Sequence, residues 1–259
     1  MPWNPDKYNE FRNIRYQPFF DLMEQISGDG LETAVDLGCG TGEQTRILSG
    51  RFPGAVFTGI DSSAEMLAKS GEIKGGNISF RQASVGEFIR EQPAASLDLV
   101  FSNAALQWSD DHEGLFPRLI GLLRNNGQFA VQMPSQKENR LNQLLLQLVQ
   151  EEPFAGYLGG WKRDTPMLDI DSYVEVMFGN GLEQVQVMQK VYPIIAETAG
   201  TLFDFIAGSA LVPYMEKLSG SEQELLTAEF KSRINRSFRK FPAVYPFKRL
   251  LLYGRKKSA

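Results

Sequence analysis

Val35-Asp36-Leu37-Gly38-Cys39-Gly40-Thr41-Gly42 is the stretch from which the fold of this chain can be read. An apolar strand runs directly into three alternating glycines. A second apolar run, Val56 to Asp61, ends on a carboxylate about twenty residues later, the spacing of a βαβ unit that holds a nucleoside. A tight strand-to-helix connection also uses glycines. It has no need of an acid closing the next strand, so the pair of features points to an adenosine site.

The position of Asp36 selects among adenosine ligands. In the dinucleotide version of the motif, backbone N–H groups approach a pyrophosphate at a helix N-terminus. A carboxylate just before the first glycine would repel phosphate but could pair with an ammonium. The pattern Asp36-x-Gly38-x-Gly40-x-Gly42 resembles the first motif of the class I S-adenosylmethionine-dependent methyltransferases. That family's ligand has an amino group and a sulfonium and no phosphate. In this reading the glycines give clearance, because without a Cβ the backbone can approach the ligand closely and take positive φ. Asp61 would accept hydrogen bonds from the ribose hydroxyls.

Composition narrows the class. The 259 residues, 42% of them hydrophobic, suffice for one large core with a smaller lobe. No apolar run reaches the roughly 18 residues of a membrane span, and Met1-Pro2-Trp3-Asn4-Pro5-Asp6 does not read as a signal peptide. A cytoplasmic enzyme is expected. The single cysteine, Cys39, excludes an internal disulfide and a cysteine-based metal cluster, and inside the glycine loop it reads as a small apolar filler. No metal site is expected. A net charge of −4 argues against nucleic acid as a partner.

Strand and helix signals alternate from Thr33 to Met133. Strands are expected at 33–37, 56–61, 78–84, 97–103 and 128–133, with helices at 43–52, 64–70 and 115–123. Strands separated by helices imply parallel pairing with right-handed crossovers, and the ligand should lie where the winding reverses, at the carboxyl ends of the first and fourth strands. Beyond Met133 the spacing predicts helices over 141–149, 170–178, 201–217 and 221–239, strands over 185–192 and 247–253, and a long loop from 152 to 166. Ser221-Glu222-Gln223-Glu224 reads as a capping-box start. The family resemblance implies an α/β fold, a doubly wound Rossmann-like sheet of seven strands with a helical lid subdomain. The corresponding division is an N-terminal helical arm at 1–30, a cofactor core at 31–136, lid insertions at 137–168 and 198–242, and the rest of the sheet at 169–197 and 243–259.

Several stretches carry a narrower resemblance. Asn103-Ala104-Ala105-Leu106-Gln107-Trp108, followed by Asp111-His112-x-x-Leu115-Phe116-Pro117, is similar to the trans-aconitate 2-methyltransferase family. So are Trp3-Asn4-Pro5-x-x-Tyr8, Val131-Gln132-Met133-Pro134, Leu211-x-Pro213-Tyr214 and Ser221-x-Gln223. The resemblance implies S-adenosylmethionine as cofactor, held by Asp36, Gly38, Gly40, Gly42, Asp61, Ser62, Met66, Ser84, Val85, Asn103 and Ala104. Relatives commonly end the third strand on an Asp that pairs with the adenine; this chain reads Gln82-Ala83-Ser84-Val85, so Ser84 or the Val85 backbone is the expected substitute.

The implied acceptor is a small polycarboxylate. A carboxylate is ionised at pH 7 and needs no general base, so catalysis rests on in-line positioning and on cations that hold the other carboxylates. Candidate cations are Arg12 and Arg15 near the N-terminus, Arg163 in the long loop, and Arg233 and Arg236 on the last insertion helix, of which the resemblance favours Arg15. Trp3, Tyr8, Trp161 and Tyr214 could supply aromatic walls and hydroxyl donors for the acceptor, and Arg15, Tyr8 and Trp108 are expected nearest the reacting methyl. Trp108 could wall the sulfonium or simply begin a buried turn. Arg233 and Arg236 could equally belong to a solvated helix face. His112, the only histidine, is expected to cap a helix or lie at the surface rather than act as a base. Two other functions fit the same cofactor motif: methylation of a malonyl group on an acidic carrier protein, for which Lys231 to Lys240 would be the docking stripe, and binding of S-adenosylmethionine without catalysis.

Overall fold

The computed structural model describes residues 12–73 and 76–258, with the side chains of residues 12–15 and Glu72 outside that description. The described elements are α1 (Arg12–Met23), β1 (Thr33–Leu37), α2 (Glu43–Arg51), β2 (Val56–Asp61), α3 (Ala64–Ala68), β3 (Ile78–Gln82), α4 (Val85–Glu91), β4 (Leu97–Asn103), α5 (His112–Gly121) and β5 (Leu123–Pro134). They continue with α6 (Arg140–Leu148), α7 (Phe154–Tyr157), α8 (Ile170–Gly179), β6 (Leu182–Ala196), α9 (Ala199–Ala207), α10 (Val212–Met215), α11 (Gly220–Ser237) and β7 (Ala243–Lys256).

The seven strands form one sheet in the order β3-β2-β1-β4-β5-β7-β6. Strands β1 to β5 pair in parallel, and β7 is antiparallel to β5, with Gln132 opposite Leu251 and Pro134 opposite Arg249. This is the doubly wound α/β sheet expected from the sequence. Its winding reverses between β1 and β4. Leu97, Leu99, Val100 and Phe101 of β4 are all buried, as a strand covered on both faces requires.

The chain divides into two compact units. Among the described residues, one comprises 17–73, 76–134, 166–190 and 249–258; the other comprises 12–16, 135–165 and 191–248. The first unit has a core of sheet residues such as Val35, Leu37, Ile60, Val100, Phe129 and Val131, packed with Leu115, Phe116 and Leu119 of α5 and Tyr173 and Met177 of α8. In the second unit, Leu141, Leu145 and Leu148 of α6 join Leu202 and Phe203 of α9, and Leu226, Phe230 and Ile234 of α11, in a separate core. Leu226, Phe230 and Ile234 recur every four residues, which lines one helix face with apolar groups.

Several expected boundaries move. Helix α4 was absent from the sequence reading, although Ser84 and Glu87 form a capping box: the Ser84 N–H donates to Glu87 Oε2 (2.7 Å) and Glu87 N–H to Ser84 Oγ (3.2 Å). The box expected at Ser221 starts at Ser219, whose N–H donates to Glu222 Oε2 (2.7 Å). The helix expected over 201–217 is split into α9 and α10 around Gly208, and Pro213 opens the second piece because its missing N–H costs nothing in a first turn. The fifth strand starts earlier than expected, at Leu123 opposite Leu97, with an irregularity between Leu97 and Leu99. Residues 154–157 of the expected loop form the short helix α7.

Phe116 is fully buried and its ring meets His112, Phe129 and Tyr173 at centroid distances of 5.1–5.4 Å. Phe116→Ala is expected to destabilise the protein by about 3–5 kcal/mol through lost contacts and the cavity left behind. A denaturant midpoint equal to that of the parent chain would contradict this account of the core.

Candidate active site

The glycine turn is tied to β2 before any ligand is considered. The N–H groups of Gly38 and Cys39 both donate to the Ile60 carbonyl, at 2.8 and 2.9 Å. Gly38, Gly40 and Gly42 have φ of +74°, +57° and +76°, the left-handed region that favours glycine. At Gly38 the constraint is also steric, since an added Cβ would lie 2.1 Å from the Ala105 Cβ. The turn after β1 and the turn after β4 therefore meet backbone to side chain at the switch point. Cys39 is buried, and burial first, then the Asp36 and Asp61 charges, pushes its thiol far above the ordinary range. A neutral filler is what that environment allows.

Asp61, at the end of β2, ties the turn after β1 to the turn after β2. Its Oδ2 accepts from Gly40 N–H and its Oδ1 from Ser63 N–H, both at 2.9 Å. Each carboxylate oxygen keeps a further lone pair for a hydroxyl. Ser63 in turn caps α3 through Met66 N–H (3.2 Å), and a Cβ on Gly40 would meet Met66 Cε at 3.3 Å. Met66 thus borders the glycine turn. Ser62 uses its carbonyl to accept from Gln82 Nε2 (3.2 Å).

Asp36 is buried, and its Oδ2 accepts a 2.6 Å hydrogen bond from Thr45 Oγ1. Burial pushes its carboxyl up to about 7, the Thr45 hydroxyl pulls the other way, and the Asp61 charge adds to the rise. A cation beside Asp36 would reverse that penalty. The strand-four end complements it: Asn103 Nδ2 donates to Gln44 Oε1 (2.9 Å), while the buried Asn103 Oδ1 has no hydrogen-bond partner among the described residues. Ala104 follows at φ +55°, with its N–H on the Gln132 carbonyl (2.8 Å) and its carbonyl accepting from Gln107 Nε2 (2.7 Å). These bonds hold a backbone conformation that an alanine does not favour by itself.

Ser84 is drawn into the α4 cap, where its hydroxyl donates to Glu87 Oε2 (2.7 Å), and Val85 is the first residue of that helix. The Val85 N–H is one of the first-turn groups without an intrahelical partner. Trp108 ends the short 3₁₀ turn Leu106–Trp108 and is about 38% exposed, whereas Leu106 is fully buried. Leu106 and Gln107 are buried in this turn, and Trp108 is not.

His112 lies elsewhere than the sequence reading placed it. The cap of α5 is Asp111, and His112 is buried. Its Nε2 lies 2.9 Å from the Leu106 carbonyl, an acceptor, so Nε2 carries the proton. Nδ1 then accepts from the Tyr173 hydroxyl (2.6 Å), which accepts from Leu168 N–H (3.4 Å). Burial holds the imidazole below its ordinary pKa, against the opposing effects of neighbouring carbonyls and of Asp110 and Asp111. This neutral ring pins the turn that carries Leu106. The missing signal was tertiary, because Tyr173 lies far along the chain.

The acceptor candidates fall in the second unit or outside the description. Trp161 packs edge-on to Tyr214 (5.3 Å) under the Lys217 ammonium (4.4 Å), and the Tyr214 hydroxyl accepts from Arg163 N–H (3.2 Å). These three residues are brought together. Arg233 is committed to Glu151 (Nη1 to Oε1, 2.8 Å) and Glu229 (3.1 Å), and Arg236 to Glu229 (2.8 Å). Trp3 and Tyr8 lie outside the described residues, as does the side chain of Arg15 in α1.

The residues present suit a ligand with ribose hydroxyls and an ammonium: an acid with free lone pairs at Asp61, an unmet buried acceptor at Asn103, and a second acid whose burial calls for a cation. Residues 35–131 match a family described as a methyltransferase domain. With the seven-stranded sheet and the glycine turn, this makes the chain a class I S-adenosylmethionine-dependent methyltransferase. The chain is 38% identical to a trans-aconitate 2-methyltransferase of Deinococcus radiodurans, across 97% of each chain. It is 30% identical to one of Escherichia coli, across 91% of this chain and 90% of that one. It belongs to the trans-aconitate 2-methyltransferase family. Solved structures share the fold at low identity. The YcgJ protein of Bacillus subtilis superposes with a TM-score of 0.60 at 14% identity, covering 94% of this chain and all of that one. A phosphoethanolamine N-methyltransferase of Haemonchus contortus gives 0.54 at 19%, covering 88% of this chain and 49% of that one.

The Asp36 carboxyl has a sign that can be measured. Its pKa is raised in the folded state above the ordinary 3.8, so between pH 4 and 7 the folded ligand-free chain binds more protons than the unfolded chain. The stabilisation from its protonated form is full below about pH 4 and is lost as pH rises through about 7. Asp36→Asn is expected to remove that part of the dependence and to raise the melting temperature at pH 8. Parallel melting-temperature profiles for parent and variant from pH 5 to 8 would contradict it.

Proposed function

We propose that this chain transfers the methyl group of S-adenosylmethionine to a carboxylate oxygen of a small polycarboxylic acid, trans-aconitate being the acceptor best supported. The observation that carries the acceptor is the 38% identity to the Deinococcus radiodurans trans-aconitate 2-methyltransferase across 97% of both chains. Chemistry within the site agrees with it. The one histidine is neutral and held by Leu106 and Tyr173, and a carboxylate nucleophile, already ionised at neutral pH, needs no base.

In this reading the bound cofactor supplies an electrophilic methyl on a sulfonium, and the residues of the chain bind and orient. Gly38, Gly40 and Gly42 admit the ligand against the backbone. Asp61 accepts from the ribose hydroxyls, and Asp36 and Asn103 Oδ1 take the ammonium. Ser62, Met66 and the Val85 N–H border the adenosine, and the Ala104 carbonyl and Trp108 border the sulfonium, where an aromatic face favours a cation. Ser84 contributes through the α4 cap. By the family resemblance, the helices of 137–168 and 198–242 are assigned to a lid subdomain, with Trp161, Arg163 and Tyr214 as its acceptor-binding candidates. Arg15, Trp3 and Tyr8 are assigned to the acceptor by family resemblance. The stripe from Lys231 to Lys240 is largely occupied within its own unit, with Lys231 over the Phe203 ring and Arg233 and Arg236 on acids. That occupancy supports a small acceptor over an acidic carrier protein.

The reading is tested with S-adenosylmethionine labelled in its methyl group, offered with trans-aconitate, cis-aconitate, citrate and a malonyl carrier protein. A base-labile labelled ester is expected on trans-aconitate in preference to the others. Label on the carrier protein alone, or only on amine or phenol acceptors, would overturn it. For the cofactor, Asp61→Ala is expected to weaken calorimetric binding of S-adenosylmethionine roughly 10- to 100-fold; equal binding would remove Asp61 from the site.

A further inference from the structure

The carboxyl ends of β4 and β5, beside the middle of the antiparallel β7, hold buried polar atoms that the chain leaves unmet. Asn103 and Gln132 are direct neighbours in the β4–β5 register, and the turn after β4 adds Gln107. Asn103 Oδ1, Gln107 Oε1 and Gln132 Nε2 are buried without a hydrogen-bond partner among the described residues. Buried polar groups are nearly always satisfied, so the unmet atoms of the neighbouring Asn103 and Gln132 mark where a ligand belongs. Of the three atoms, two are acceptors and suit an ammonium or hydroxyl. Gln132 Nε2 is the donor.

Its orientation is enforced. Gln132 is fully buried, and its Oε1 accepts a 2.9 Å hydrogen bond from Nη1 of Arg249, which is itself 8% exposed. Turning the amide over would set its NH₂ against the guanidinium, donor against donor. The guanidinium at Oε1 therefore leaves Nε2 as the donor end of the amide, in need of an acceptor. Arg249 lies opposite Pro134 in the β5–β7 register, and Gln132 is two residues before Pro134 on the same face.

We propose that Gln132 and Arg249 form a carboxylate-binding subsite at the carboxyl edge of the sheet. A carboxylate supplies the acceptor oxygen that the Gln132 amide N–H needs, and its negative charge is favoured near a buried guanidinium. Two carboxylates enter the reaction proposed above, that of the polycarboxylate acceptor and that of the cofactor's methionine arm, and the inference rests on that reading for both. The chain's own contribution is the same in either case: one carboxylate is oriented by a neutral amide whose direction is set by a buried arginine.

Gln132→Glu is the informative variant, because the new carboxylate keeps the shape, pairs with Arg249 and repels a ligand carboxylate. Arg249→Lys, which keeps the charge and removes the planar fork, is made beside it and decides the matter if Gln132→Glu fails to fold by circular dichroism. Two quantities are measured for each: the calorimetric Kd of S-adenosylmethionine and the KM of trans-aconitate. One is expected to rise roughly 10- to 150-fold while the other stays within about threefold. A rise in KM assigns the subsite to the acceptor; a rise in Kd assigns it to the methionine arm. Unchanged values of both, or an equal rise of both in a folded variant, overturn the subsite. If the parent chain methylates no polycarboxylate, the functional reading fails separately, and the Kd of S-adenosylmethionine still decides the inference.

Discussion

The site depends first on a contact that only a glycine permits. Gly38 sits where a Cβ would come 2.1 Å from the Ala105 side chain, so the turns leaving β1 and β4 close on one another at the point where the sheet changes direction. That approach sets Asp36, Asn103 and Ala104 around one crevice. The two strands also pair directly, Asp36 opposite Phe101, so the register of the sheet and the geometry of the crevice are one constraint.

Around this contact the electrostatics are arranged for a cationic ligand in a poorly solvated place. Asp61 is satisfied by two backbone N–H groups and keeps lone pairs to spare. Asp36 has one hydroxyl and a burial penalty large enough to bring its carboxyl up to about 7. Such a group opposes the folding of the ligand-free chain near neutral pH and is relieved by a positive charge, a common relation between stability and function at binding sites. At the turn after β4, the neutral His112, held between the Leu106 carbonyl and Tyr173, acts on backbone position alone.

Sequence and structure differ for two reasons. Helix α4 has a local signal, the capping-box spacing of Ser84-Val85-Gly86-Glu87, and the strand expected to reach residue 84 stops at Gln82 to make room for the cap. His112 and the Gln132–Arg249 pair had no such local signal. A histidine after two aspartates looks like a cap, and only packing against a tyrosine 61 positions away makes it a buried tautomer-locked ring. Gln132 and Arg249 are 117 residues apart and meet because β7 returns antiparallel to β5.

What the sequence by itself determined is the local chemistry of the βαβ unit: the apolar runs that become strands, the glycines that allow positive φ, and Asp61 at the end of the next strand. These follow from short-range sterics and periodicity, which a linear reading captures. Tertiary structure alone decided which polar groups are satisfied and which are left for a ligand. That question depends on burial and on partners brought from distant strands: it placed Arg233 and Arg236 on glutamates, put Ser84 into a helix cap, and set an arginine beside Gln132.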